Sequence, residues 1–195
     1  MSTGRPLGYD PEAALEAAMG LFWRRGYEAT SLARLMAVTG LSKSSFYQAF
    51  GSKHALFERC MERYSAYMVK TMDAMLAEAP SGRVFVERLL MGIADETRGP
   101  GARRGCLVMN SASEFAGRDP VVADLVARST ASFMAVFRRA VERAKADGEI
   151  PPDKDTGVLA AYILTNVAGL RTMVKAGAGP QEVRAIAAVT LDALD

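Results

Sequence analysis

The chain is 195 residues long and half apolar, with 24 Lys and Arg against 22 Asp and Glu and a net charge of +2. That length can bury one or two small cores, and so slight a charge excess excludes a generally basic nucleic-acid coat. Two cysteines, Cys60 and Cys106, are too few for a disulfide framework and suit a reducing cytoplasm.

Richness in Ala, Leu, Met, Glu and Arg predicts an all-α fold. Met1 to Tyr9 reads as an arm, with no signal-peptide pattern, and no run in the chain reaches roughly 18 apolar residues, so no membrane partner is expected. Arg5, in Gly4-Arg5-Pro6, is either a stray charge or a side chain for a minor groove. Asp10 caps a first helix, Pro11 opens it, and Gly26 ends it after Arg25. Ala14, Ala18, Leu21 and Phe22 form its buried stripe.

Thr30 to Lys53 holds three cations (Arg34, Lys43, Lys53) and no carboxylate. Leu32, Leu35 and Met36 mark the buried side of a short helix. Gly40 supplies the positive φ of a tight corner, Ser42 caps the next helix, and Phe46 and Phe50 face inward at i, i+4. Lys43, Ser44, Ser45, Tyr47 and Gln48 then point outward. This is a helix-turn-helix whose second helix suits a major groove.

Ser52 caps a long helix from about Lys53 to Ala79, closed by Pro80-Ser81-Gly82. Further helices are expected over about Arg83–Thr97, Cys106–Phe115, Asp119–Asp147, Asp155–Lys175 and Pro180–Leu194. The total is about nine. The penultimate one, with Leu159, Tyr162, Ile163, Asn166, Val167 and Leu170, is apolar nearly all round. Such a helix must be covered, here by a partner subunit. With His54 as the one histidine, no Gly-rich phosphate loop and no metal-ligand spacing, neither catalysis nor a cofactor is expected.

The run from Ala13 to Tyr64 resembles the DNA-binding domain of the tetracycline-repressor (TetR) family of bacterial regulators. Ala18-x-x-Leu-Phe-x-x-x-Gly-Tyr-x-x-Thr-Ser-Leu32 and the segment TGLSKSSFYQAFGSKHALF from Thr39 carry the likeness. RRGCLVMNSASEF, from Arg103 to Phe115, is similar to a segment of one subgroup. The resemblance implies a three-helix DNA headpiece (residues 1–53) and a ligand-binding and dimerisation domain (residues 54–195) beginning with the long fourth helix. The partners implied are an operator duplex, a second copy of the chain and a small-molecule effector.

The resemblance assigns Tyr47 and Lys53 to phosphates, with Thr30 or Ser31 adding a hydroxyl. Lys43, Ser44 and Gln48 are the candidates for base edges. Ala49 stands where many relatives carry a larger side chain, which argues against contact there. Met91, Cys106, Met109, Asn110, Phe115, Phe133, Phe137, Tyr162 and Asn166 are candidates for an adaptable effector pocket. Leu159, Ile163, Val167, Leu170, Val183, Ile186 and Thr190 are candidates for the dimer interface. The expected function is a cytoplasmic, ligand-responsive repressor released from a pseudo-palindromic operator by an apolar or electrophilic molecule. Two alternatives stay open: a redox or electrophile sensor acting through Cys106, and a constitutive DNA binder.

Overall fold

The structure is a computed structural model that describes residues 9–99, 101–115 and 117–195. Arg5 lies outside the described residues. Among them the chain forms nine α-helices: α1 Pro11–Arg25, α2 Leu32–Thr39, α3 Lys43–Phe50, α4 Lys53–Glu78, α5 Gly82–Asp95, α6 Leu107–Phe115, α7 Pro120–Ala146, α8 Thr156–Ala176 and α9 Pro180–Asp192.

Local chemistry explains most of the boundaries. Asp10 accepts from the Glu12 and Ala13 amides at 2.9 and 3.3 Å, Ser42 from Ser45 at 3.2 Å and Ser52 from Ala55 at 2.9 Å. Each satisfies amides that a helix start leaves without partners. At the far end of α4 the Arg143 guanidinium donates to the carbonyls of Leu76, Ala79 and Pro80, which closes α4 against α7. Gly82 begins α5 so close to α7 that a Cβ there would meet the Ala140 carbonyl oxygen at 1.9 Å.

One contiguous apolar core runs from α1 to α9. In the headpiece, Phe22, Leu35, Phe46, Phe50, Leu56 and Phe57 bury the inner faces of α1 to α4. Helix α4 packs on α1, α6 and α7, and α5 on α7, α8 and α9. α7 and α8 are long and apolar enough to cross a bilayer by length and composition. Here they pack on each other, which covers one face of α8.

Candidate nucleic-acid interface and its link to the C-terminal domain

Helix α3 is anchored by Phe46 and Phe50, whose rings lie 5.5 Å apart in the core. That burial turns Lys43, Ser44, Tyr47 and Gln48 to solvent, with Tyr47 45% exposed. Ser45 is half-buried, its hydroxyl 2.9 Å from that of Ser42. From α4, Arg59 braces the end of α3, stacking over the Phe50 ring and donating to the Ala49 carbonyl at 3.3 Å. Ala49 is half-buried beneath it.

Lys53 is the first residue of α4, and its ammonium sits 4.0 Å from the centroid of the Tyr27 ring. Ser31 is exposed and caps α2 through the Arg34 amide. Thr30 departs from expectation. It is fully buried, and its hydroxyl donates to the Gly26 carbonyl at 2.6 Å, so it has nothing to offer a phosphate.

Sequence alone did not disclose how this surface is tied to the C-terminal domain. Glu114, near the end of α6, places one carboxylate oxygen 2.9 Å from the Tyr27 amide and the other 2.8 Å from the Glu28 amide. Gly26 makes room for it, since a Cβ there would lie 2.8 Å from that carboxylate. Phe115 stacks on Phe57 and leans on Tyr27, at centroid distances of 5.5 and 5.2 Å. It therefore belongs to this joint, not to an effector pocket, because its position beside Glu114 aims it at the headpiece.

Two further links complete the joint. The Trp23 indole donates to the Gly105 carbonyl at 2.9 Å, just before α6. His54, beside Lys53, lies 2.6 Å from Glu58 and 2.6 Å from Asp119, which also caps α7 through the Val121 and Val122 amides. Burial alone would lower the His54 pKa, but bonds to Asp119 and Glu58 outweigh it and the net shift is upward. The Val122 amide and His54 hold the Asp119 carboxyl below its usual range.

The protonated imidazole thus stabilises the fold. That contribution is complete below an unfolded pKa of about 6.5 and fades as pH rises through the higher folded value. Thermal denaturation from pH 6 upward should show declining stability in the wild type and a flatter profile in His54→Gln. Parallel profiles would remove His54 from the account.

Residues 14–60 match the bacterial regulatory proteins of the tetR family, and residues 86–189 match the tetracyclin repressor-like C-terminal domain. The chain belongs to the TetR family. It is 30% identical to the HTH-type transcriptional repressor ComR of Escherichia coli (strain K12), over 97% of this chain and 91% of that protein. It is 28% identical to the repressor BdcR of the same strain, over 98% and 92%. The TetR family regulator CifR, a cysteine mutant complexed with 26-bp double-strand operator DNA, superposes with a TM-score of 0.87 at 31% identity. That alignment covers 98% of this chain and 100% of the other. E. coli NemR in reduced form shares the fold, with a TM-score of 0.83 at 18% identity over 92% of this chain and 94% of that one. This TetR-family chain is a DNA-binding transcriptional regulator.

The C-terminal domain of this TetR-family protein holds a narrow apolar cleft between α4, α6, α7 and α8. Met68, Met72, Met109, Phe133, Phe137 and Cys106 line it, and its free space of about 20 Å³ is on the scale of one water molecule. Of the expected pocket residues, Cys106, Met109, Phe133 and Phe137 meet there. Met91 packs half-buried on α5 outside it. Asn110 donates to the Arg104 carbonyl and accepts from Lys175, both at 2.9 Å. Asn166 donates to the Tyr162 carbonyl within α8 and accepts from Thr190, the one of these bonds that ties α8 to α9. Burial pushes the Cys60 thiol up to about 12, as suits a packing residue.

The expected dimer residues also need correction. Leu159, Ile163, Val167, Leu170, Val183 and Thr190 are buried within the chain itself, and only Ile186 is exposed. Helix α8 has two apolar faces, and these side chains mark the one turned to its own domain. The outward face carries Val158, Thr165, Gly169, Thr172 and Met173 without a charge. Val158 there and Val189 on α9 are 67% and 65% exposed.

Sequence reading also passed over Arg171, which donates through Nε and Nη2 to Glu96 at 3.1 and 2.9 Å. The signal was present: Arg171 is the sole charged residue in α8 before Lys175.

Proposed function

We propose that the protein is a cytoplasmic, homodimeric repressor released from a pseudo-palindromic operator when a small molecule occupies its C-terminal domain. The observation that carries this reading is the carboxylate-free surface of α3, presented on a headpiece whose α1, α1–α2 loop and α4 are held by four contacts to the α6 and α7 region. Residues 1–53 act as the headpiece and residues 54–195 as the effector and dimerisation domain. Tyr47, Lys53 and Ser31 hold phosphates and fix register, while Lys43, Ser44 and Gln48 face base edges. A two-fold dimer would address two half-sites, hence the palindrome.

Selection of bound duplexes from a random pool at physiological salt tests the reading. An enriched inverted repeat supports it, and binding that simply vanishes with salt overturns it. Against the selected duplex, Lys53→Ala should weaken all sequences alike and lower the salt slope by about 2, one contact per protomer. Gln48→Ala should instead relax preference at one position per half-site, by roughly 1–3 kcal/mol. An unchanged motif would sink the Gln48 assignment.

We infer that the dimer forms through the outward faces of α8 and α9, where an uncharged surface needs cover. A Cβ at Gly169 would meet nothing of its own chain within 4 Å. Gly169→Arg should therefore leave the protomer folded and yield monomers in sedimentation. A variant that stays dimeric places the interface elsewhere.

Cys106, on the cleft wall after Arg103 and Arg104, supports a second reading in which an electrophile or oxidant is the effector. Cys106→Ser then abolishes release by such reagents.

A further inference from the structure

His54 stands where the headpiece meets the C-terminal domain, one residue after Lys53 at the start of α4. Both of its ring nitrogens face carboxylates, Nδ1 at 2.6 Å from Glu58 and Nε2 at 2.6 Å from Asp119. A neutral imidazole has a single N–H and can donate to only one of them, whereas imidazolium donates to both. The arrangement is therefore that of the charged ring. Its two acceptors differ in kind. Glu58 lies one turn along the same helix, while Asp119 is fixed at the start of α7 by the Val121 and Val122 amides.

Other elements close on the same spot. From the α1–α2 loop, Tyr27 meets the imidazole edge to face with centroids 6.0 Å apart, and the same tyrosine ring carries the Lys53 ammonium at 4.0 Å. Glu28 follows Tyr27, its amide held by Glu114 of α6. Arg118, just before Asp119, donates to the Glu114 and Phe115 carbonyls. Imidazolium and Lys53 together balance Glu58 and Asp119. Loss of the ring proton leaves one of those carboxylates without a counter-charge beside Lys53, and one of the two imidazole bonds must open.

We propose that His54 is a positioning residue for Lys53 and that its proton strengthens DNA binding, so the protein releases DNA as pH rises. The uncompensated carboxylate repels the phosphate that Lys53 holds and draws the ammonium back toward the protein. The start of α4 also loses part of its hold on α7. Because Asp119 and Glu58 keep the proton above the ordinary histidine value of about 6.5, the change falls in the neutral to mildly alkaline range. The inference rests on the assignment of Lys53 to a phosphate and adds a proton-linked control to that surface.

His54 is the single histidine, so in protein free of affinity tags its ring resonances need no assignment. Titration by NMR, with and without duplex, reads its protonation directly. The duplex is the one selected above or, if none is enriched, one of mixed sequence, since phosphate contacts need no sequence. The midpoint should lie above about 6.5 in the free protein and rise by about 0.5 on the duplex, because linkage is reciprocal. Two protomers turn that into about tenfold weaker binding between about pH 6 and pH 9 at fixed ionic strength. His54→Gln should keep only the slope of the α-amino group, which titrates near about pH 8 in both proteins. Glu58→Gln keeps the histidine and removes one acceptor, so it should slide the affinity curve to lower pH, which a purely structural role would not do.

A free midpoint at or below about 6.5 overturns the proposal, as does a midpoint unmoved by duplex or parallel affinity curves for wild type and His54→Gln. The operator reading fails separately. An enriched inverted repeat bound without any His54-dependent pH effect defeats this inference alone. Binding that His54 links to pH, with no repeat enriched, defeats the operator reading and leaves the switch standing.

Discussion

Gly82→Ala should lower the melting temperature by roughly 10 °C. The added Cβ would fall 1.9 Å from the Ala140 carbonyl oxygen and 2.8 Å from the Ala144 amide nitrogen, both on α7. Backbone atoms cannot rotate aside, so the N-terminus of α5 must lift from α7. Overpacking of this kind costs about 3 kcal/mol. In a chain of this size each kcal/mol moves the midpoint by roughly 2–4 °C. Gly92→Ala is the internal control. It lies in the same helix with nothing within 4 Å of a Cβ, so it should stabilise by about 0.5–1 kcal/mol. Equal melting temperatures for the two variants would refute the close approach of α5 to α7.

Glu114→Ala should detach the headpiece loop from α6. One carboxylate serves two amides, and removing it leaves both without an acceptor, at a cost of about 2 kcal/mol. Hydrogen exchange reads the effect locally, with the Tyr27 and Glu28 amides exchanging more than about tenfold faster while the α7 core stays protected. Glu114→Gln, which retains one acceptor oxygen, should fall between. Once an effector is known, its power to release DNA should shrink in Glu114→Ala, since coupling between sites is typically about 1–3 kcal/mol. Uniform acceleration across the chain would reduce Glu114 to a stabilising contact without a local role.

The residues that sequence disclosed well are those whose partners are sequence neighbours. Asp10, Ser42 and Ser52 cap amides two or three positions away, so the starts of α1, α3 and α4 were legible. So was the outward set Lys43, Ser44, Tyr47 and Gln48, because Phe46 and Phe50 leave α3 one orientation. Thr30 misled because a hydroxyl beside a helix start has a second possible acceptor, the carbonyl four residues back. The dimer candidates misled for another reason. Periodicity marks Leu159, Ile163 and Val167 as buried but cannot say by which chain. Glu114 was invisible, since its amide partners lie 86 and 87 positions away and nothing in SASEF announces them.

Helix α4 carries Lys53 at its first position and Met68 on the wall of the apolar cleft. Fifteen residues separate them, about 22 Å at 1.5 Å per residue. A rod of that length works as a gear. A tilt of only about 5° around Met68 carries Lys53 roughly 2 Å sideways, several times the 0.5 Å window within which N–H···O bonds form. In the proposed dimer, two such rods about a two-fold axis would double the mismatch. Thioether rearrangements too small to disturb the core can therefore sever contacts on the nucleic acid, and regulation demands stiffness in α4 more than it demands mobility.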